Sequence, residues 1–282
     1  MEFKKIAVVG SGTMGNGIAH VFAMNNFEVF LVDVNQNLLD RAISVISNNL
    51  DRMLKKELIS EDAKLSALRS IKPIIGHQNI PQDVDLVIEA IYENKDAKVR
   101  LFSELEKIIQ SSAIFASNTS SISITEIASV SRPDQFIGMH FMNPVPIMKL
   151  VEIIRGFSTS QSTFDAIKEL TAKIGKVPVE VNDYPGFISN RILMPMINEA
   201  IFALYEGVAR EEEIDNVMKL GMNHPMGPLT LADFIGLDVC LDIMNVLYNG
   251  FNDPKYRPCP LLKKMVTAGK LGRKSGQGFY KY

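Results

Sequence analysis

Short apolar runs alternate with longer stretches of helical periodicity along the first part of the chain. IAVV (6–9) is apolar without interruption, as expected of a strand that is buried on both faces of a sheet. A helical pattern follows over 13–25, and VFLVD (29–33) predicts a second strand. This alternation predicts a parallel sheet with right-handed helical crossovers. The other predicted elements of this part are helices over 36–56, 60–69, 96–109 and 161–174, and strands over 71–75, 85–90, 113–118, 136–140, 149–154 and 177–181.

The pattern changes after the stretch NDYPG, where helical periodicity continues without intervening strands. Residues 187–206 predict one long helix, which Pro195 is expected to kink because proline removes a backbone donor. Residues 1–184 are therefore predicted to form an α/β domain, and residues 185–282 a smaller all-helical domain. The remaining helices of the second domain are predicted over 211–220, 228–247 and 260–268, with no strand before the FYKY tail.

The first predicted strand runs directly into a glycine-rich turn that opens a helix. Gly10, Gly12 and Gly15 have the G-x-G-x-x-G spacing, which is informative in this strand–turn–helix context. Such glycines allow a tight turn, close approach to a pyrophosphate and close helix–strand contact, and the helix N-terminus attracts phosphate. A turn with only a capping role is the alternative. We expect a Rossmann-type, doubly wound, mainly parallel sheet that binds a dinucleotide through Gly10, Ser11, Gly12, Thr13, Met14 and Gly15.

The second predicted strand ends in an acidic residue, Asp33. A carboxylate at this position accepts hydrogen bonds from the adenosine ribose hydroxyls and repels a 2′-phosphate. The next three residues, 34–36, include no arginine that would bind such a phosphate. NAD is therefore expected rather than NADP.

A nicotinamide cofactor implies hydride transfer, which needs a group that exchanges a proton with the substrate. His20 falls within the first predicted helix, His77 in a loop and His224 in a turn of the second domain. Only His140 follows a strand and precedes a proline-rich loop, and ligands of doubly wound sheets bind beyond the carboxyl ends of strands. His140 is therefore the candidate general acid–base, with a buried core histidine as the alternative.

Glu152 is the one carboxylate in the apolar stretch GMHFMNPVPIMKLVEI that contains His140. The proline-rich excursion would return the chain so that the next strand brings Glu152 to the imidazole, where it would fix the tautomer and stabilise the imidazolium. The alternatives are an exposed strand carboxylate or a salt bridge with Lys149. Lys149 lies three residues away, which places the two on opposite faces of a strand. The residues alone leave these possibilities open.

Composition limits the partners and the compartment. The formal charge is −2, from 30 basic and 32 acidic residues, so neither a nucleic acid nor a membrane surface is expected as a partner. Cys240 and Cys259 form no metal-ligand spacing, so we expect no metal and a reduced, intracellular protein. The N-terminus lacks a long apolar signal segment, and no stretch approaches the ~20 apolar residues of a membrane span. A cytoplasmic location is expected.

Stretches along nearly the whole chain resemble the 3-hydroxyacyl-CoA dehydrogenase family, particularly its short bacterial 3-hydroxybutyryl-CoA dehydrogenases. The resemblance implies a Rossmann-type domain followed by a helical domain that binds substrate and dimerises. It also implies reversible, NAD-dependent oxidation of (S)-3-hydroxyacyl-CoA to 3-oxoacyl-CoA, with 3-hydroxybutyryl-CoA as the expected substrate. The matching stretches are GSGTMG (10–15), VIEAIYEN (87–94), SNTSSISIT (117–125), GMHFMNPVPIMKLVE (138–152), PGFISNRI (185–192), NHPMGPL (223–229) and GRKSGQGFY (272–280).

The resemblance also implies roles for individual residues. His140 corresponds to the family's catalytic histidine, and Glu152 to the glutamate that pairs with it. Asn190 and Ser120 correspond to polar residues near the thioester and the nicotinamide. From residue type alone, Asn190 would be a helix-capping or helix–helix hydrogen-bonding residue, and Ser120 is expected to cap the ISITEI segment as well. The residues that correspond to cofactor contacts are Glu93, Lys98, Ser120, Asn143 and Lys274.

Coenzyme A carries phosphates, so basic side chains are expected to line its entry. Arg52, Lys55 and Lys56 cluster near the end of the helix predicted over 36–56 and are candidates for binding the adenosine phosphates. The alternative is a solvated helix end whose cations complement the helix dipole.

Two other functions stay open from the sequence. One is an NAD-linked dehydrogenase of another hydroxy acid, such as a sugar acid, which would act on free acids rather than thioesters. The other is an NAD-binding module without turnover. The combined presence of His140, Glu152, Ser120 and Asn190 argues against the second of these.

Overall fold

The computed structural model describes residues 2–282, which divide into two compact units. The first unit ends at Asp183, and the second runs from Tyr184 to Tyr282. Strands and helices alternate in the first unit, whereas the second is built on helices. The division falls one residue before the boundary that the sequence predicts.

An eight-stranded sheet forms the centre of the first unit. Most of its inner strands are continuous buried runs, because helices cover both faces. The strands are β1 (Lys5–Val9), β2 (Glu28–Asp33), β3 (Ile71–Ile75), β4 (Leu86–Glu89), β5 (Ile114–Ser117), β6 (Phe136–Phe141), β7 (Leu150–Arg155) and β8 (Val177–Asn182).

The strand order is β3-β2-β1-β4-β5-β6-β7-β8, and neighbouring strands are parallel except for β6 and β7. The order reverses around β1, which lies between β2 and β4, and ligands of such sheets bind at this switch point. Pro73 and Pro178 lie on β3 and β8, the two edge strands, where a missing N–H breaks no inner ladder. The predicted mainly parallel, doubly wound sheet is confirmed.

Helices cover the two faces of this sheet. They are α1 (Thr13–Met24), α2 (Gln36–Lys55), α3 (Glu61–Ser70), α4 (Lys95–Leu105), α5 (Ile124–Ala128) and α6 (Gln161–Lys173). Ile6 and Val8 of β1 belong to a core that includes buried residues of α1, α2 and α6. On the other face, the ring of Phe102 on α4 packs against the rings of Phe115 and Phe136. Alternate strand residues thus supply two separate apolar layers.

Apart from α1, which begins at the glycine turn, the helices of this unit begin at short polar side chains. Asn35 and Ser60 accept N–H groups in the first turns of α2 and α3. The cap of α5 is Ser123, which accepts from the Glu126 N–H. The prediction that Ser120 caps this segment is therefore wrong, because Ser123 lies immediately before the first helical residue.

The second unit has its own apolar core. Its helices are α7 (Ser189–Tyr205), α8 (Glu211–Asn216), α9 (Pro228–Ile235), α10 (Leu237–Phe251) and α11 (Pro260–Thr267). Buried side chains of α7, α9, α10 and α11 form the centre of this core. The first helix continues through Pro195 as one element.

Three predictions for this unit need correction. The single helix predicted over 228–247 is two helices, because Gly236 adopts φ 106° and separates α9 from α10. The segment predicted as one α-helix over 211–220 is α-helical only to Asn216, and a π-helical turn follows over Val217–Gly221. In the part of the chain that is described, the FYKY tail joins only isolated bridges. It is held instead by Asp233, which accepts the N–H groups of Phe279 and Tyr280.

Within residues 2–282, no helix combines the length and the apolar character needed to cross a membrane.

Candidate active site

The carboxyl ends of the parallel strands lie along one edge of the sheet, where most predicted site residues of the first unit occur. Gly10 follows β1 and Asp33 ends β2. On the other side of the switch point, Asn118 follows β5 and His140 lies near the end of β6. Residues that are far apart in the sequence are therefore collected where doubly wound sheets bind their ligands.

The glycine turn leaves space for a phosphate group above α1. Gly10 has φ 100°, and a Cβ added there would lie 2.5 Å from the carbonyl oxygen of Ala90. A Cβ at Gly15 would lie 1.7 Å from the Gly10 carbonyl oxygen, so α1 contacts the turn through backbone. Gly12 differs, because an added Cβ would meet no described atom within 4 Å. The open space lies at the N-terminus of α1, where backbone N–H groups and the helix dipole favour an anion.

Asp33 supports this turn as well as facing the expected ribose position. Its Oδ2 accepts from the backbone N–H of Ser11 at 2.7 Å and from the Ser11 hydroxyl at 2.6 Å. Its Oδ1 accepts from the Val34 N–H. The carboxylate is therefore held in a fixed orientation at the end of β2.

A cavity of about 620 Å³ lies beside Gly10, Gly12 and Asp33. Its walls are largely apolar, as a site for an adenine ring requires. The polar side chains at its margin include Arg100 and His77, and His77 Nε2 lies 2.6 Å from Glu104 Oε2. The cavity, the open glycine turn and the fixed carboxylate fit the adenosine and pyrophosphate parts of NAD. The remaining lining residues are Val9, Val32, Val34, Leu38, Gly76, Ala90, Ile91, Tyr92, Ala97 and Leu101.

His140 and Glu152 face each other across the one antiparallel strand pair of the sheet. They are direct register partners on β6 and β7, and His140 Nδ1 lies 2.7 Å from Glu152 Oε2. Directly opposed residues of an antiparallel pair project to the same face, so the ladder itself brings these side chains together. Both side chains are buried, so Glu152 is not an exposed strand carboxylate. Because a carboxylate accepts, the bond places the ring proton on Nδ1.

Glu93 and Ser120 come together from two different loops. Glu93 Oε1 lies 3.0 Å from the Ser120 N–H nitrogen and 3.4 Å from its hydroxyl oxygen. The same oxygen accepts from the hydroxyls of Thr119 and Ser121 at 2.6 and 2.9 Å. One carboxylate therefore orders the turn that follows β5.

Lys98 lies behind this carboxylate and is 1% exposed. Its Nζ is 2.5 Å from Glu89 Oε1 and 3.2 Å from Glu93 Oε2, and the other Glu89 oxygen accepts from the Ser117 hydroxyl at 2.5 Å. With its amine engaged by two carboxylates, Lys98 is placed to orient Glu93. Sequence reasoning missed Glu89 and Ser117, although a carboxylate and a hydroxyl at the ends of apolar strands are a recognisable signal.

The pKa values of Glu89 and Glu93 are shifted in opposite directions. Burial raises the pKa of Glu89, and the attraction of Lys98 offsets this only in part. Burial acts in the same direction on Glu93, but the positive charge of Lys98 and the hydrogen bonds from Thr119 and Ser121 outweigh it and lower the pKa. Glu93 therefore carries a negative charge at neutral pH at this edge of the sheet.

Asn143 lies in the exposed connection between β6 and β7. The peptide bond that joins it to Pro144 is cis. The start of the connection is fixed by Asn118, whose side-chain oxygen accepts from the Phe141 N–H at 2.9 Å. Asn143 therefore follows the end of β6, which is hydrogen-bonded to the loop after β5.

The second unit carries two of the predicted residues. Asn190 lies in the first turn of α7 and is buried. Lys274 lies in a short 3₁₀ turn and donates to Asp238 Oδ2 at 2.6 Å. The functional roles assigned to both stay predictions.

Arg52, Lys55 and Lys56 lie at the exposed C-terminal end of α2. Arg52 donates to the side chain of Asn49 at 3.5 Å. This position suits both the predicted phosphate contact and a helix end whose cations complement the dipole. The CoA-phosphate site therefore stays a prediction. Residues 2–282 contain no cluster of three or more His, Cys, Asp or Glu side chains that could hold a metal ion.

A dinucleotide-binding sheet whose carboxyl edge carries a paired histidine and carboxylate defines the class as a nicotinamide-dependent dehydrogenase. Residues 5–184 match the 3-hydroxyacyl-CoA dehydrogenase NAD binding domain, and residues 186–282 match the C-terminal domain of the same family. The chain belongs to the 3-hydroxyacyl-CoA dehydrogenase family.

Similar proteins cover the chain from end to end. The 3-hydroxybutyryl-CoA dehydrogenase of Bradyrhizobium diazoefficiens is 54% identical over 280 residues, which span 99% of this chain and 95% of that protein. The corresponding protein of Clostridioides difficile is 50% identical and covers 99% of each chain. The crystal structure of (S)-3-hydroxybutyryl-CoA dehydrogenase from Ralstonia eutropha, 50% identical, gives a TM-score of 0.97 over 100% of this chain and 99% of that one.

Proposed function

We propose that this protein catalyses the reversible, NAD-dependent oxidation of (S)-3-hydroxyacyl-CoA to 3-oxoacyl-CoA. The observation that carries the proposal is the 2.7 Å contact between His140 and Glu152 at the edge of a dinucleotide-binding sheet. The names of the relatives supply the substrate class, and 3-hydroxybutyryl-CoA is the expected substrate.

NAD supplies the hydride acceptor when it is bound. In the chain, the glycine turn and the N-terminus of α1 would hold the pyrophosphate, and Asp33 would accept from the adenosine ribose. The ionised Glu93 supports the nicotinamide end of the site, because its negative charge favours a cationic ring.

His140 would move the proton that accompanies the hydride. During oxidation its Nε2 accepts the proton of the substrate hydroxyl, and during reduction Nε2 returns that proton to the developing alkoxide. Glu152 holds the Nδ1–H, which fixes the tautomer and stabilises the imidazolium. Histidine suits both directions because an imidazole exchanges its proton near neutral pH. Ser120 and Asn190 are proposed as further polar contacts to the substrate.

The proposal includes a homodimer formed through the helical unit. Several large apolar side chains of this unit are exposed, among them Ile192, Leu220 and Phe234, at 68%, 85% and 56%. Sedimentation velocity at micromolar concentration should give twice the chain mass of 31.4 kDa. A species of single-chain mass at all concentrations would contradict this part of the proposal.

The test of the activity is NADH oxidation with acetoacetyl-CoA, measured for the wild type and for His140→Gln. The variant should lose about 10²–10⁴-fold in kcat, because it lacks the general acid. The NADH dissociation constant, measured by fluorescence, should stay at the wild-type value, since the cofactor cavity is formed by other residues. A variant that turns over at a near-normal rate would overturn the role of His140.

A second arm of the same experiment tests the substrate class. Free 3-hydroxybutyrate and a sugar acid are assayed with NAD beside 3-hydroxybutyryl-CoA. Turnover should be confined to the thioester. Activity on the free acids alone would indicate a different hydroxy-acid dehydrogenase, and NADH binding without any turnover would indicate a non-catalytic module.

A further inference from the structure

Lys176 is a buried lysine next to β8 whose amine is held by backbone. It is 8% exposed, and its Nζ donates to the carbonyl oxygens of Val145 and Met148, the latter at 2.7 Å. Among residues 2–282 it forms no ion pair with a carboxylate. Hydrogen bonds that involve a charged donor are about twice as strong as neutral ones, so these two carbonyls are firmly held.

Both carbonyls belong to the segment that joins His140 to Glu152. We call residues 142–149, between β6 and β7, the 142–149 loop. It contains Asn143. At its C-terminal end, the Val177 N–H donates a hydrogen bond to the Lys149 carbonyl oxygen at 2.8 Å. Lys176 and Val177 are adjacent, so one point at the start of β8 holds the loop at three carbonyl oxygens.

The other side of the loop rests on α1. Val145 is its one buried side chain, at 2% exposure, and a Cβ added to Gly17 of α1 would lie 2.8 Å from Val145 Cβ. The helix that begins at the phosphate-binding turn therefore supports the loop directly. The loop is fixed between the cofactor-binding helix and Lys176.

A buried ammonium without an acidic partner is unfavourable unless its hydrogen bonds are satisfied. Burial lowers the pKa of Lys176, in keeping with this cost. A long apolar side chain would avoid the cost but would leave the carbonyls of Val145 and Met148 without their donor. The presence of a lysine at this position is therefore better explained by its hydrogen bonds, which fix the loop conformation, than by apolar packing.

We infer that Lys176 is a positioning residue for cofactor binding, which locks the 142–149 loop so that Asn143 is presented to NAD beside the His140–Glu152 pair. Lys176 touches neither cofactor nor substrate in this role and acts through Asn143. The inference rests on the proposed function only in that it takes Asn143 as a cofactor contact.

The test is NADH binding, which does not depend on turnover. Dissociation constants are measured by NADH fluorescence for Lys176→Met, Asn143→Ala and the double variant, with thermal unfolding of each. If Lys176→Met leaves the loop in its binding conformation for a tenth of the time, the dissociation constant rises about tenfold. Lys173→Met is the matched control, because Lys173 is exposed three residues earlier in the chain and should leave binding unchanged.

The double variant separates a positioning role from a merely structural one. If Lys176 acts through Asn143, the double variant binds NADH no more weakly than Asn143→Ala alone. Any of three results would overturn the inference. The two substitutions could raise the dissociation constant independently, so that their effects multiply in the double variant. Alternatively, Lys176→Met could leave the dissociation constant unchanged, or Asn143→Ala could have no effect on it. Should Lys176→Met fold poorly, Val145→Ala weakens the same loop at its other support and must show the same non-additivity. Failure of the proposed function would appear differently, as tight NADH binding without turnover of acetoacetyl-CoA.

Discussion

At the scale of single residues, Asp33 combines a structural task with a proposed task in recognising the cofactor. Its carboxylate accepts from the N–H and hydroxyl of Ser11 in the glycine turn, and it also lines the cavity that we propose holds the cofactor. The hydrogen bonds orient the carboxylate before a cofactor arrives. A group that is already oriented loses little conformational entropy on binding, which favours selective recognition of a ribose hydroxyl.

Asp33→Ala should shift the cofactor preference toward NADP. Loss of the carboxylate removes hydrogen bonds to the ribose, which are worth about 1.5–3 kcal/mol when one partner is charged, or roughly 10–100-fold in kcat/KM for NADH. It also removes the repulsion of a 2′-phosphate. The measurement is the ratio of kcat/KM for NADH to that for NADPH.

Ser11→Ala is the control for the structural task of Asp33. It removes the hydroxyl hydrogen bond but keeps the carboxylate, so it should weaken both cofactors alike and preserve the ratio. If Asp33→Ala leaves the ratio unchanged, Asp33 does not select the cofactor.

At the scale of elements, the contact between β1 and α1 shows how differently two glycines of one motif are used. Gly15 is required by the fold, since a methyl group there would overlap the Gly10 carbonyl oxygen. Gly12 is not required by the fold, because the space beside it is open among the described atoms. Packing therefore does not explain the second glycine, and we propose that it serves a ligand.

Gly15→Ala and Gly12→Ala should separate these two roles. Gly15→Ala should lower the free energy of unfolding by about 1–3 kcal/mol or more, the usual effect of forcing atoms into a close-packed contact. Gly12→Ala should unfold at the wild-type temperature but bind NADH more weakly. Circular-dichroism melting and NADH titration of both variants measure these effects. Equal destabilisation by the two substitutions would contradict the assignment.

The strand pair β6–β7 is the second element that defines the site. Because the two strands are antiparallel, the short 142–149 loop suffices to join them, whereas a parallel pair needs a crossover. The register then places His140 directly opposite Glu152. The reversal of strand direction in a mainly parallel sheet thus creates the His140–Glu152 contact that we propose acts as the acid–base pair.

At the scale of the whole molecule, the free energy of unfolding depends in part on buried titratable groups that the proposed chemistry does not use. His20 on α1 is 2% exposed, and among the described residues its Nδ1 has no hydrogen-bond partner. Burial, together with the positive charge of Lys176, lowers the pKa of His20 from 6.5 to about 4. The folded protein therefore keeps this imidazole neutral under conditions where the unfolded chain protonates it.

The free energy of unfolding should fall as the pH is lowered from about 6.5 to about 4. In that range the unfolded chain binds a proton at His20 that the folded chain does not, so stability present above pH 6.5 is lost. Between pH 7.5 and 4.5 this contribution is about 2–3 kcal/mol, at about 1.4 kcal/mol per pKa unit.

Urea unfolding of the wild type and His20→Leu at both pH values measures this contribution. The variant should lose about 2–3 kcal/mol less than the wild type on acidification. His224→Leu, at a partly exposed position of the second unit, is the control and should follow the wild type. An identical pH dependence for wild type and His20→Leu would show that His20 does not cause the loss.

Much of this molecule follows from patterns that are local in the sequence. The apolar runs of β1 and β2, the glycine spacing and Asp33 predict a dinucleotide-binding sheet, because strand burial and turn geometry depend on neighbouring residues. The long stretch without strands predicts the helical unit for the same reason. The break between α9 and α10 at Gly236 could also have been predicted, since glycine commonly ends a helix.

Other features depend on contacts between distant segments, and only the tertiary structure decided them. The sequence offered Glu152 as a partner of His140 but could not give the antiparallel register that pairs them. It could not show that Lys98 is enclosed by two carboxylates, or that Lys176 is buried beneath the 142–149 loop. A lysine in a sequence is expected at the surface, and burial with its partners is a property of the packed fold.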